Sequence, residues 1–274
     1  MTSDAGQDPA RAGKIREVAG RLRTASAEHR PGRPGSDVLG ETDIELAYEV
    51  QRLLNDERAA AGARPVGRKI GLTASAVQAQ FGVDQPDFGV LFDDMLVPDG
   101  SSVESGRLLQ PRVEAEIAFV LRDDIADGNA TADSVRPAIA ECMAAIEIVD
   151  SRIAGWDITI TDTVADNASA GLFVLGPARV PLTDFVPVDA QMSMTVDAVV
   201  AATGSGKDCL GDPLNAVAWL ARKSVQIGSP LRGGDIVLSG SLGPVVPVQA
   251  GAAVVAQISG LGSVSVSFAK QVPE

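Results

Sequence analysis

The sequence predicts an α+β fold with a rolled or sandwiched sheet, and three observations carry that expectation. Helical periodicity is concentrated at the front of the chain and fades near Gly62. From about Val66 the character changes to short strands punctuated by Gly, Pro and Asp. Near the C-terminus Val264, Val266 and Phe268 alternate with serines, the pattern of a strand with one buried face. Helices first and strands later argue against a doubly wound order.

The elements follow in chain order. Met1 to about Ala10 reads as disordered, and its polar start lacks the apolar core of a secretory signal. Ile15, Val18 and Leu22 stand at helical spacing and predict a helix from Ala10 to about Glu28. The stretch from His29 to Gly35 is rich in Pro, Gly and Arg and reads as a loop. Thr42-Asp43-Ile44-Glu45 has a capping-box pattern and predicts a second helix starting at Thr42, with Ile44, Ala47, Val50 and Leu54 on one face. Ile139 to Ala145, which contains Cys142, reads as helical, and Ile146 to Val149 as a buried strand. Thr203 to Asp208 reads as a hairpin loop, since it lacks the residues a phosphate loop needs. Asp212 before Pro213 predicts a helix start, with Leu214, Val217 and Ala221 facing inward and a stop near Gly228. Strands are expected over 235–238, 252–258 and 262–268. Residues 1–65 thus form an N-terminal helical region and 66–274 a larger sheet-bearing domain.

Composition narrows the function. The chain has 274 residues with 45% apolar content, enough for a substantial core, but only 4% aromatics. A net charge of −13 argues against a nucleic-acid surface. No apolar run approaches the ~18 residues of a membrane span. Cys142 and Cys209 are far apart and form no CxxC pair, which suits a reducing cytoplasm. His29 is the only histidine, so multi-histidine zinc sites are excluded by count and a histidine-based nucleophile is disfavoured.

The chemistry centres on Arg112-Val113-Glu114-Ala115-Glu116-Ile117, which reads as a strand. Glu114 and Glu116 then share a face about 7 Å apart. Two like charges so placed repel, and a hard divalent cation with oxygen ligands would relieve them. A solvated strand face with two harmless acids fits the same spacing. Ala145 to Asp150 offers Glu147 as a third ligand, with Asp150 as support or as a partner of Arg152. Glu147 stands between isoleucines of the opposite face, where a lone carboxylate is costly. Lys69, among glycines and apolar residues, could have a lowered pKa and act as acid or base, although an ordinary surface lysine fits too. Asp87 sits in Gln85-Pro86-Asp87-Phe88-Gly89, where a plain turn aspartate is the bland alternative.

Taken in order, Lys69–Thr73, Gln85–Gly89, Glu114–Glu116, Glu147–Arg152, Asp162–Ser169 and Leu238–Leu242 resemble the 2-oxopent-4-enoate (2-hydroxypenta-2,4-dienoate) hydratases of aromatic meta-cleavage pathways. Those enzymes belong to the fumarylacetoacetate hydrolase superfamily. The resemblance spans roughly Glu41 to the C-terminus and implies a mixed β-sheet roll with a smaller helical region. It implies Mg²⁺ or Mn²⁺ held by Glu114, Glu116 and Glu147, acid/base roles for Lys69 and Asp87, and a pocket position for Ser169. It further implies a small 2-hydroxydienoate substrate and a homo-oligomer, and leaves open a complex with 4-oxalocrotonate decarboxylase. That decarboxylase is the main alternative activity, and Gln85–Gly89 looks more like the hydratases. An acylpyruvate C–C hydrolase would want a histidine base, which disfavours it because His29, the only histidine, lies in a loop, and a silent binding subunit would not need a complete acid set. Arg68 and Arg152–Trp156 are the surroundings expected to set substrate length.

Overall fold

The computed structural model describes residues 8–74, 78–79 and 82–270. Residues 1–7, most of the segment expected to be disordered, lie outside these.

Three helices come first: α1 (Pro9–Ala27), α2 (Ser36–Leu39) and α3 (Ile44–Ala60). They lead into β1 (Pro65–Gly71), β2 (Asp87–Phe92), β3 (Leu96–Val97), β4 (Ser102–Val103) and the long β5 (Arg112–Leu121). Next come α4 (Ala132–Val135), β6 (Ile139–Val149), α5 (Ile160–Ala165), β7 (Ala170–Leu175), β8 (Val180–Pro181), β9 (Gln191–Val196) and β10 (Val199–Ser205). The chain closes with α6 (Pro213–Gln226), β11 (Ile236–Ser241), β12 (Val246–Pro247), β13 (Ala253–Ile258) and β14 (Gly262–Phe268).

Among the described residues the strands form two sheets. The larger runs β2-β1-β11-β5-β6-β7-β3, with β12 beside β5 and β8 beside β6. The smaller runs β10-β9-β13-β14-β4. Pairing is mixed: β1 with β11, β3 with β7 and β14 with β4 are parallel, and β5 with β6 is antiparallel. The smaller sheet packs on β6 and β7, and the larger sheet curls until β2 approaches β7. This is the α+β roll expected from the sequence.

Two apolar clusters stabilise it. The main one joins both sheets and α6, with Phe119, Ile146, Phe173, Val237 and Val254 fully buried. The second gathers Val18, Leu22, Leu46 and Val50 of the first helices against Ile153, Ile160 and Val164. Burying each such side chain contributes roughly 1.5–3 kcal/mol. Together they fix α5 against the helical region, and α5 leads into the cleft.

Several expectations need correcting. Ile139 to Ala145 is strand, not helix, and Cys142 lies in it. Its Ala, Glu and Met favour helix locally, but β5 on one edge and β7 and β8 on the other supply sheet pairing that overrides propensity. The second long helix starts at Ile44, two residues later than expected, because Asp43 accepts the cap hydrogen bond from Leu46 N at 2.9 Å. Thr203 to Asp208 is the end of β10 followed by one 3₁₀ turn at Gly206–Asp208, closed by Asp208 against Ser205 N. The Asp212–Pro213 start of α6 is as expected.

Candidate active site

β5 and β6 pair so that Glu114 stands directly opposite Glu147. Glu116 follows two residues along the same face. One oxygen from each of the three acids lies within 4.8 Å of the others. Glu116 and Glu147 are fully buried. Glu116 Oε2 accepts from Gly240 N at 2.8 Å. Gly240 has a φ of 99°, a backbone that favours glycine, and a Cβ there would press on Thr73. The bulge that carries it shifts the β11–β5 register between Leu238 and Ser241.

The rest of the cluster is starved of partners. Glu116 Oε1 and Glu147 Oε2 have no hydrogen-bond partner among the described residues, and Glu147 Oε1 has only the Lys69 ammonium. Buried carboxylate oxygens are costly in that state. Lys69, from β1, answers in part: its Nζ lies 3.1 Å from Glu147 Oε1, and it is itself only 3% exposed. One cation against three acids leaves the site short of positive charge. A hard divalent ion fits this oxygen-only set, and the orphaned oxygens are the observation that says so.

Electrostatics follow the burial. Burial, then the charge of Glu147, raises the Glu114 carboxyl to about 7. Burial also pushes Glu116 well above the usual carboxylate range, and raises Glu147. Burial raises Asp87 too, against the pull of Lys69. For Lys69, burial acts to lower the value, but Glu147, Asp87 and the other acids outweigh it and raise the ammonium above its ordinary range. The lowered lysine pKa expected from the sequence is therefore wrong: the flanking glycines and apolar residues gave no hint of the carboxylates facing it.

Asp87 opens β2 and lies opposite Gly71 of β1. A Cβ on Gly71 would overlap Asp87 Oδ1 and come within 3.4 Å of Lys69 Nζ, so the missing side chain lets both groups enter one space. Thr163 Oγ1, from α5, lies 3.5 Å from Asp87 Oδ2 and 3.3 Å from Ser169 Oγ. These groups line a cleft of about 710 Å³ together with Glu114, Arg112 and Trp156. That size suits a small ligand.

Ser169 arrives by an unusual backbone. Asn167, Ala168 and Ser169 have φ values of 55°, 51° and 53°, three left-handed residues in succession. Each costs roughly 1 kcal/mol or more, strain of a kind that gathers at functional sites. Thr163, Asn167 and Arg112 were not singled out from the sequence. Arg112, on the same face as Glu114, shows the one legible signal, and its guanidinium lies 4.3 Å over the Trp156 ring.

Two surroundings differ from expectation. Arg68 points to the other face of β1, where its guanidinium bonds Ser224 and Ser229 and lines a separate cleft with Tyr48, Phe88 and Lys223. Neighbouring residues on a strand face opposite ways, and Lys69 already faces the acids. Arg152 pairs with Asp166, not Asp150. Asp150 is a support instead, accepting from Leu109 N and Gln110 N. Of the 152–156 segment, Gly155 and Trp156 reach the cleft.

A curled mixed sheet with a carboxylate trio, two of them buried, beside a lysine and an aspartate defines a class, and comparison with known proteins gives it a name. Residues 62–269 match the model for the fumarylacetoacetate hydrolase C-terminal family, and the chain belongs to that family. A 2-keto-4-pentenoate hydratase from Paraburkholderia phymatum is 51% identical over 94% of this chain and 98% of its own. A TodF product hydratase from Pseudomonas putida is 50% identical over 96% of this chain and 98% of its own. Among solved structures, 4-oxalocrotonate decarboxylase from Pseudomonas putida G7, complexed with magnesium and adipate, superposes with a TM-score of 0.90 at 30% identity, covering 94% of this chain and 98% of that one. The resemblance to the pentenoate hydratases is borne out.

Proposed function

We propose that the protein is a hydratase that adds water to 2-hydroxypenta-2,4-dienoate, the enol of 2-oxopent-4-enoate, to give 4-hydroxy-2-oxopentanoate, using Mg²⁺ or Mn²⁺. The orphaned buried oxygens of Glu116 and Glu147 carry the metal part of the reading. Roughly 50% identity to hydratases over nearly the whole chain carries the reaction.

Glu114, Glu116 and Glu147 would hold the ion. When bound, it supplies Lewis acidity toward the substrate's carboxylate and C2 oxygens and offsets the acids' repulsion. Lys69, kept as an ammonium by the facing carboxylates, holds a proton at Nζ for delivery to C5, and the proton given up by the C2 hydroxyl reloads Nζ. Ketonisation makes C4 electrophilic by conjugation. Asp87 Oδ2, with Thr163 Oγ1 and Ser169 Oγ beside it, orients the water, accepts its proton as the oxygen bonds to C4, and passes that proton to C3. A positioned proton donor or acceptor contributes typically ~10²–10⁴-fold. Trp156 and Arg112 close one side of the cleft and limit the substituents accepted at C5.

In this reading residues 1–65 brace the cleft while 66–274 carry the chemistry. In this reading the protein acts in a reducing cytoplasm, where the buried, unpaired Cys142 and Cys209 stay thiols. It self-associates, which the exposed Val199 and Val200 of the β9–β10 hairpin support.

The test is a substrate comparison with Mg²⁺ present. The protein should consume the dienoate and release no CO₂ from 4-oxalocrotonate. Release of CO₂ at a comparable rate would replace the hydratase reading with a decarboxylase one.

A further inference from the structure

β2, which carries Asp87, is the edge strand of the larger sheet. An edge strand presents unpaired backbone groups on its outer side. Here that side is closed by side chains instead of a strand. Tyr48 Oη accepts from Phe88 N at 3.3 Å, and Gln51 Nε2 donates to Phe88 O at 3.0 Å. Asn167 does both for the next outward residue: its Oδ1 accepts from Val90 N at 2.8 Å and its Nδ2 donates to Val90 O at 2.9 Å. The Asn167 amide thus imitates one residue of a neighbouring strand.

The same asparagine begins the left-handed run that delivers Ser169. Its own carbonyl sits against Gly89, where a Cβ would overlap it. Gln51 is 3% exposed and also donates to Val164 O at 2.8 Å, so it ties α3, β2 and α5 together. Asn55 Nδ2 adds a contact to Asn167 Oδ1 at 3.2 Å. These bonds join the elements that bear Asp87, Thr163 and Ser169. None of them touches β5 or β6, which bear the three glutamates.

We propose that Asn167, assisted by Gln51, is a positioning residue: its amide clamp on Val90 sets Asp87 and Ser169 at the spacing water addition requires. The inference rests on the roles given above to those two residues. Asparagine suits the post twice, because it tolerates the left-handed conformation and offers a donor and an acceptor in one plane. A small misplacement of catalytic groups can cost ~10²-fold in rate.

The experiment compares the wild type with Asn167→Ala and Asn167→Asp. Asn167→Asp keeps the size and the acceptor but loses the donor to Val90 O, and it is the variant to read if Asn167→Ala does not fold. For each, kcat and KM on the dienoate, Mg²⁺ affinity by calorimetry and amide exchange of Val90 are measured. The clamp predicts that kcat falls at least about tenfold while KM and Mg²⁺ affinity stay within about threefold. It also predicts faster exchange at Val90 in Asn167→Ala, which loses the acceptor for Val90 N, with β5 amides unchanged. Unchanged kcat in the folded variant, or an equal loss of Mg²⁺ affinity and kcat, would overturn it. Should the wild type itself not hydrate the dienoate, the proposed function fails, and the clamp is then judged by Val90 exchange alone, where wild-type protection in Asn167→Ala would overturn it.

Discussion

Stripping the metal should give this protein an inverted pH dependence of stability. Most folded proteins carry carboxylates with lowered pKa values and lose stability in acid. Here Glu114 is raised from 4.5 to about 7 and Asp166 from 3.8 to about 6, both by burial first. A raised acid binds its proton more tightly folded than unfolded. Its stabilising effect is therefore present at low pH and lost as pH rises from the unfolded value to the folded one. Between about pH 5 and pH 8, at about 1.4 kcal/mol per unit, Glu114 loses about 3 kcal/mol and Asp166 about 1 kcal/mol. Glu116 and Glu147 are raised as well and act in the same sense. The lowered acids Asp37, Asp93 and Asp124 act only near and below their ordinary range around pH 4, outside the window. Lys69, raised above its ordinary range, acts only in strong alkali. Urea denaturation of chelator-treated protein, followed by circular dichroism, should thus give a lower unfolding free energy at about pH 8 than at about pH 5. Mg²⁺ at about 100 times its Kd should restore about 3 kcal/mol at the higher pH and much less at the lower one, since only ionised ligands bind it. A metal-free stability that is flat or rises over this window would refute the buried-acid account.

Other outcomes follow from single contacts. Lys69→Ala should keep Mg²⁺ binding in calorimetry and lose turnover about 10²-fold or more, and full activity would remove Lys69 from the mechanism. Glu114→Gln should weaken Mg²⁺ binding and turnover together; an unchanged affinity would refute its role as a ligand. Gly71→Ala places a methyl on Asp87 Oδ1, so kcat should fall in steady-state assays while the thermal midpoint moves little. Both thiols are buried, with Cys142 pushed up to about 12 and Cys209 raised further, so neither should react with a thiol reagent until the protein unfolds.

The sequence carried much of this site because strands have a period of two. Glu114 and Glu116 share a face on any regular strand, and Glu147 could not stay among isoleucines without a partner. The fold class was legible in the shift from helical to alternating patterns and in the Asp212–Pro213 helix start. What escaped was set by neighbours distant in sequence. Ile139–Ala145 has helix-forming residues, and only its partners on both edges make it a strand. The Lys69 ammonium is governed by four carboxylates from β2, β5 and β6 that local sequence does not display. Asn167 and Gln51 look like ordinary polar residues until β2 is seen to be an edge strand in need of partners.

The most direct measurement is NMR of the product formed from 2-hydroxypenta-2,4-dienoate by metal-stripped protein, with and without added Mg²⁺. The account predicts a 4-hydroxy-2-oxopentanoate signal that appears only with the ion. Equal conversion without it would contradict the role given to the acid cluster, and ketonisation with no new C4 hydroxyl would contradict the hydration itself.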